Sequence, residues 1–173
     1  MEVALVTLGI LAFLGLIVLG MWLGWRRRVR KQSAIPAPPA LPAGLGAPRL
    51  AVDDAHYVAT SYTGTALERI AVRPFGYRGR AVVEVHPQGV AIGIAAEDPF
   101  FIPRERITLV ARTQATIDRA VEPDGLIAVQ WQLGPELSVE TFLRIVEPSA
   151  RRALLEAITT ITATEHATRE EHK

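Results

Sequence analysis

Residues Val3 to Trp25 run 23 positions without a charge and are followed at once by Arg26-Arg27-Arg28-Val29-Arg30-Lys31. At about 1.5 Å per residue, a helix over that run is about 35 Å long, enough to cross a hydrocarbon core of about 30 Å with some tilt. A helix satisfies its backbone polar groups internally, which lipid requires of any single segment that crosses it. Lys and Arg flanking a span stay on the cytoplasmic side, so Met1 is expected outside the cell membrane and everything after Lys31 inside. A cleaved signal peptide is the competing reading. It would carry its cations before a shorter apolar core, whereas here only Glu2 precedes the core and five cations follow it.

Within this segment, Trp22 and Trp25 fall where an interfacial aromatic belt belongs, next to the headgroup cations Arg26, Arg27, Arg28, Arg30 and Lys31. Gly20 and Gly24 form a GxxxG that would let two such helices approach closely, making a homodimer through this face a candidate. The span has no polar residue suited to a substrate path, and one helix cannot enclose a pore, so transport by this chain alone is not expected.

The net charge of +1 conceals an asymmetry. Totals of 19 Lys+Arg and 18 Asp+Glu become 14 and 17 once Glu2 and the five cations of 26–31 are set aside, a net of −3 for the remainder. A nucleic-acid partner calls for the opposite sign, so none is expected. The basicity belongs to the membrane junction, where anionic headgroups attract each cation by roughly 1 kcal/mol. The absence of cysteine removes disulfides, thiolate metal sites and thiol nucleophiles.

Four segments are expected: a membrane anchor with its basic stop (1–31), a linker (32–49), a cytoplasmic domain (50–164) and a polar tail (165–173). The linker holds five prolines and two glycines, which prevent a helix or a regular strand. It reads as a semi-rigid tether with a reach of up to about 50 Å. Pro36-x-x-Pro39 and Pro39-x-x-Pro42 also fit the minimal motif for proline-recognising domains.

From Leu50 onward the apolar period is two. His56–Tyr62 is a candidate strand. Ala81, Val83 and Val85 alternate with Arg80, Glu84 and His86, and Pro87-Gln88-Gly89 turns the chain into a return strand lined by Val90, Ile92 and Ile94. Phe100-Phe101-Ile102 is a short apolar strand, followed by one in which Ile107, Leu109 and Ala111 alternate with Thr108, Val110 and Arg112. Residues 115–121 continue the pattern up to a turn at Glu122-Pro123-Asp124-Gly125. The last two strands place Ile127, Val129, Trp131 and Leu133, then Leu137, Val139, Thr141, Leu143 and Ile145, inward. The period then becomes helical: Pro148 opens a helix with Leu154, Leu155, Ile158 and Ile161 on one face, fraying over the β-branched 159–164. The expected fold is mainly β (α+β), a seven-stranded antiparallel barrel or sandwich capped by a C-terminal helix and preceded by one transmembrane helix.

This order, with Tyr57-Val58-Ala59-Thr60, Leu67-Glu68-Arg69-Ile70, Pro99-Phe100-Phe101-Ile102-Pro103 and Gly125–Leu143 around Trp131, resembles actinobacterial single-pass membrane proteins that carry a bacterial pleckstrin-homology-like (PH-like) domain. The resemblance implies a non-enzymatic interaction or scaffolding module, tethered to the bilayer and engaging a membrane-associated protein. The alternatives are an accessory subunit of a membrane transport or export complex, or binding of anionic lipid headgroups. It carries over no catalytic or ligand residue. PH-like domains that hold phosphorylated headgroups place cations around an early loop, which makes Arg69, Arg73, Arg78 and Arg80 a candidate anionic-ligand patch. A solvated strand edge, with Glu68 and Glu84 nearby, is the competing reading.

His56, His86, His166 and His172 lack ligand-like spacing and read as surface or edge residues, with no metal or cofactor expected. Asp53-Asp54 reads as the close of the linker. No phosphate-cradling glycine loop or nucleophile elbow occurs, and no enzyme is expected.

Overall fold

A computed structural model describes the backbone of residues 2–31, 35–113, 115–116, 119–120 and 125–170, and side chains over 6–26, 35–65, 68–113 and 125–163. The chain divides into two units, with the boundary between Ile35 and Pro36.

The first unit is helix α1 (Glu2–Lys31). Its stretch Val6–Arg26 is long and apolar enough to cross a membrane. Every described side chain from 6 to 26 is exposed, with large apolar groups all round the axis rather than along one stripe. A helix of that kind needs an apolar surrounding on every side.

The second unit is built on β1 (Leu50–Tyr62), β2 (Thr65–Arg69), β3 (Gly79–His86), β4 (Gly89–Ile94), β5 (Phe100–Pro103), β6 (Ile107–Thr113), β9 (Leu126–Gly134) and β10 (Leu137–Ile145). These eight strands form an antiparallel sheet in the order β5-β4-β3-β1-β10-β9-β6, with β2 pairing β1. A separate two-stranded hairpin joins β7 (Ala115–Thr116) to β8 (Arg119–Ala120). The expected seven strands thus become eight, because the 65–69 segment pairs with the end of β1. The expected turn at 122–124 lies outside the described residues.

β1 occupies the middle of the sheet because it bends. It pairs β3 through residues 50–57 and β10 through residues 55–62. Two β-bulges supply the bend, one at Asp53-Asp54 and one at Val58. Asp53 and Asp54 therefore belong to a strand and do not close a linker. A further bulge at Thr108 corrects the expected face of β6. Ile107 stays buried, but Leu109 is turned out and is 50% exposed. One inserted residue exchanges the faces of everything beyond it.

The hairpin β3–β4 closes on Pro87-Gln88, with Gly89 paired to His86. Gly89 has φ +155°, and an added Cβ would run into the carbonyl oxygen of Ile102, so this position needs glycine. His86, expected on the surface, is 2% exposed. It sits at the closed end of the hairpin among the buried Val85, Val90 and Ala91. His56, by contrast, is half-buried.

Helix α2 (Pro148–Glu170) packs Leu154, Ile158 and Ile161 against the sheet, meeting β1, β3, β4, β6, β10 and a 3-10 turn at Arg104–Arg106. It continues past the expected fraying point and through most of the segment expected as a tail. Thr159, Thr160 and Thr162 donate their hydroxyls to the carbonyls of Leu155, Glu156 and Ile158 at 2.8, 2.8 and 3.2 Å, so the β-branched run keeps its polar groups satisfied within the helix.

The stretch expected to be a semi-rigid tether is joined to the edge of β5 at Pro39 and Ala40. Phe101 N–H donates to the Pro39 carbonyl at 2.8 Å, and Ala40 bridges Phe100 in antiparallel fashion. The prolines forbid a continuous ladder but leave carbonyls free to accept from the edge of β5. Residues 36–42 are a strap laid along that edge, part of the domain itself.

Candidate functional site

The expected anionic-ligand patch lies on and beside the loop between β2 and β3, residues 70–78, which the core holds in place. Phe75 from this loop is fully buried, with its ring edge-on to Phe100 (5.4 Å between centroids) and Trp131 (6.3 Å). Ile70 N–H donates to the Thr60 carbonyl at 2.9 Å and Gly76 N–H to the Val72 carbonyl at 3.0 Å. Gly76 lies so close to the Ala71 carbonyl that no side chain fits there.

The four arginines are in different situations. Arg69 is half-buried, and its guanidinium donates to the carbonyls of Gly76 (3.3 Å) and Tyr77 (2.9 Å), so it holds the loop closed. Arg73 is 77% exposed along its side chain, with Nε 4.0 Å from Glu97, whose side chain is only 7% exposed. Its guanidinium also stacks on the Tyr77 ring at 5.6 Å and donates to the Tyr77 hydroxyl at 3.5 Å. That hydrogen bond, and then the Glu97 charge, push the Arg73 pKa above its ordinary value. Arg78 and Arg80 are exposed at the start of β3, with Arg80 paired across the sheet from His56. Exposed cationic chemistry here therefore rests on Arg73 and Arg78 of the loop and Arg80 at the start of β3, beside the half-exposed Tyr77. Arg69 departs from the expected surface cluster because the carbonyls of the loop claim its donors.

Beneath the loop lies a fully buried polar chain that sequence reasoning missed. The Tyr57 hydroxyl donates to Thr60 Oγ1 at 2.7 Å, Thr60 and Thr141 hydroxyls bond at 2.9 Å, and Trp131 Nε1 donates to Thr141 Oγ1 at 3.0 Å. Burial pushes the Tyr57 pKa well above its ordinary value, so the phenol stays neutral. Its arrangement is that of a satisfied core network. The periodicity placed Trp131 and Thr141 inward, but nothing in the spacing joined them to Tyr57.

His86 Nε2 lies 3.4 Å from Glu84 Oε2, while Nδ1 of both His86 and His56 has no hydrogen-bond partner among the described residues. Among those residues no three His, Cys, Asp or Glu side chains gather into a group able to hold a metal. His166 and His172 lie outside the described side chains.

A concavity of about 510 Å³ lies beside the strap, lined by Pro39 and Pro42 together with Pro87, Phe101, Pro103 and Arg104. The PxxP residues Pro39 and Pro42, the turn residues Pro87 and Gln88, and Phe101 and Pro103 of the short apolar strand are all singled out in the sequence, though nothing there brings them together.

On α1, Trp22 and Trp25 are exposed, and the Arg26 guanidinium sits 5.0 Å over the Trp22 ring. The side chains of Arg27, Arg28, Arg30 and Lys31 lie outside the described residues. A Cβ added at Gly20 or Gly24 would meet no atom within 4 Å.

A bent antiparallel sheet packed under one C-terminal helix, with its early loop carrying the exposed cations, defines a PH-like interaction domain. A family model described as bacterial PH domain-like matches residues 35–159, and the chain belongs to that family. The match begins beside the strap, consistent with residues 36–42 being part of the domain. No curated protein matches the chain.

Proposed function

We propose that the chain is a membrane-tethered, non-enzymatic interaction module. In this reading α1 remains in the cell membrane with Met1 outside. The tryptophans and cations of 22–31 lie at the inner headgroup layer, and the PH-like domain meets its partner in the cytoplasm. The observation that carries it is the pairing of an apolar-all-round helix with a PH-like domain that begins only four residues later, after 32–35. Confinement to a surface raises the effective concentration of the domain toward membrane-associated proteins. The test is alkaline carbonate extraction of membranes, with mass measurement of the intact chain. Retention in the pellet at full mass is expected. Release into the supernatant, or a mature chain starting after the apolar run, contradicts the reading.

A second reading is favoured by one feature, the exposed Arg73 and Arg78 on a loop fixed by Phe75 and Arg69, with the exposed Arg80 beside them at the start of β3. Such a surface suits phosphate-bearing headgroups. Vesicles containing phosphatidylserine should retain the domain more than phosphatidylcholine vesicles do, and the triple Ala variant should abolish the difference. Equal retention on both rules this reading out.

A further inference from the structure

The edge of β5 is covered by the chain itself, and the cover is thin. Phe101 is 3% exposed, yet the side of β5 away from β4 is met by a strap in which four of seven residues are proline. Proline brings no N–H, so this segment can accept from β5 far more than it can donate to it. The bond from Phe101 N–H to the Pro39 carbonyl and the Ala40–Phe100 bridge join the two backbones. Pro36, Ala37, Ala40, Leu41 and Pro42 remain exposed, so the strap buries little of itself in holding on. Beside it lies the 510 Å³ concavity lined by Phe101, Pro87 and Pro103.

We propose that this β5 edge is the docking site for an extended, proline-containing segment of a protein partner, and that residues 36–42 are its built-in competitor. The resident strap defines the occupant: an uncharged stretch of small residues and prolines, extended, offering a carbonyl to Phe101 N–H and apolar surface to the Phe101 ring. A partner segment with those properties adds to the sheet edge when the strap lifts. The strap also shields an edge that would otherwise recruit other strands. This deepens the interaction-module reading and relies on it only for the existence of a partner.

The probe is a labelled peptide copying residues 35–48, titrated against the full chain in detergent micelles. If the resident strap competes, replacing 36–42 by Gly and Ser should tighten peptide binding about tenfold or more, since the open state is no longer the minor one. The chain has no cysteine, and Pro36 Cγ lies 3.3 Å from where a Cβ on Gly134 would sit. P36C with G134C therefore staples the strap: oxidised, the variant should bind no peptide, and reduction should restore binding. Unchanged affinity in the Gly/Ser chain, or equal binding by the oxidised and reduced staple, overturns the proposal. In the unmodified chain, the Phe101 amide should exchange about tenfold faster than those of Phe100 and Ile102, because strap opening exposes it alone. Equal protection of the three amides overturns the proposal even if a variant fails to fold. Should the peptide fail while a membrane protein still co-purifies with the chain, the site is wrong and the module reading stands.

Discussion

Arg69 and Arg73 stand four positions apart with the same charge, and the backbone carbonyls around them set their roles. Arg69 meets the carbonyls of Gly76 and Tyr77, whereas Arg73 points to solvent over Tyr77 and Glu97. Arg69→Ala should therefore lower unfolding stability by about 1–2 kcal/mol, since two hydrogen bonds to a charged donor are lost near the surface. Arg73→Ala should leave the denaturation midpoint unchanged, and urea titration of both variants checks the contrast. Sequence spacing grouped these arginines by charge alone. It could not show that a loop folding back through Phe75 would bring carbonyls to one and leave the other outside. Tyr57 makes the residue-scale case for pH. In the unfolded chain a tyrosine ionises near pH 10, while in the folded chain burial holds the Tyr57 proton to higher pH. The linked stability is fully present below about pH 10 and is lost as pH rises beyond it. Tyr57→Phe should flatten that alkaline fall, as read by denaturation series from pH 8 to 11. An unchanged slope would show that the phenol does not carry it.

At the scale of elements, alternation located the faces of β9 and β10 because one side of each strand is continuously covered. Val129, Trp131, Leu143 and Ile145 are buried as the pattern required. The pattern failed at Leu109 because a bulge at Thr108 adds one residue to β6 without altering its composition. The strap was hidden for a related reason. Proline excludes a ladder, but it does not exclude a carbonyl accepting from a neighbouring edge, and no periodicity records that contact. Helix α2 was legible in its apolar face, though its length was not, since burial of Ile158 and Ile161 against the sheet overrides the poor helix propensity of 159–162 while the threonine hydroxyls there stay satisfied on backbone carbonyls. Ile158 lies fully buried where α2 crosses the sheet. Ile158→Ala should cost about 2–5 kcal/mol, the range for deleting a buried aliphatic side chain and leaving a cavity. Chemical denaturation followed by Trp131 fluorescence would measure it. A loss below half a kcal/mol would mean that the helix is not packed on the sheet in solution.

For the molecule as a whole, the two units have distinct physical requirements. The domain from Pro36 onward buries its own aromatic core and joins Tyr57, Thr60, Thr141 and Trp131 in one hydrogen-bonded chain, whereas α1 exposes large apolar side chains over its described stretch 6–26. In the proposed arrangement a lipid bilayer supplies the surrounding that such a helix needs, and the arginines after Trp25 set the direction of the span. Protease digestion of intact cells, compared with cells whose membrane has been permeabilised, tests this arrangement most directly, with an epitope tag at the C-terminus as the reporter. The account predicts a tag that survives in intact cells and is destroyed after permeabilisation. Loss of the tag from intact cells, or its appearance in the medium, would contradict it.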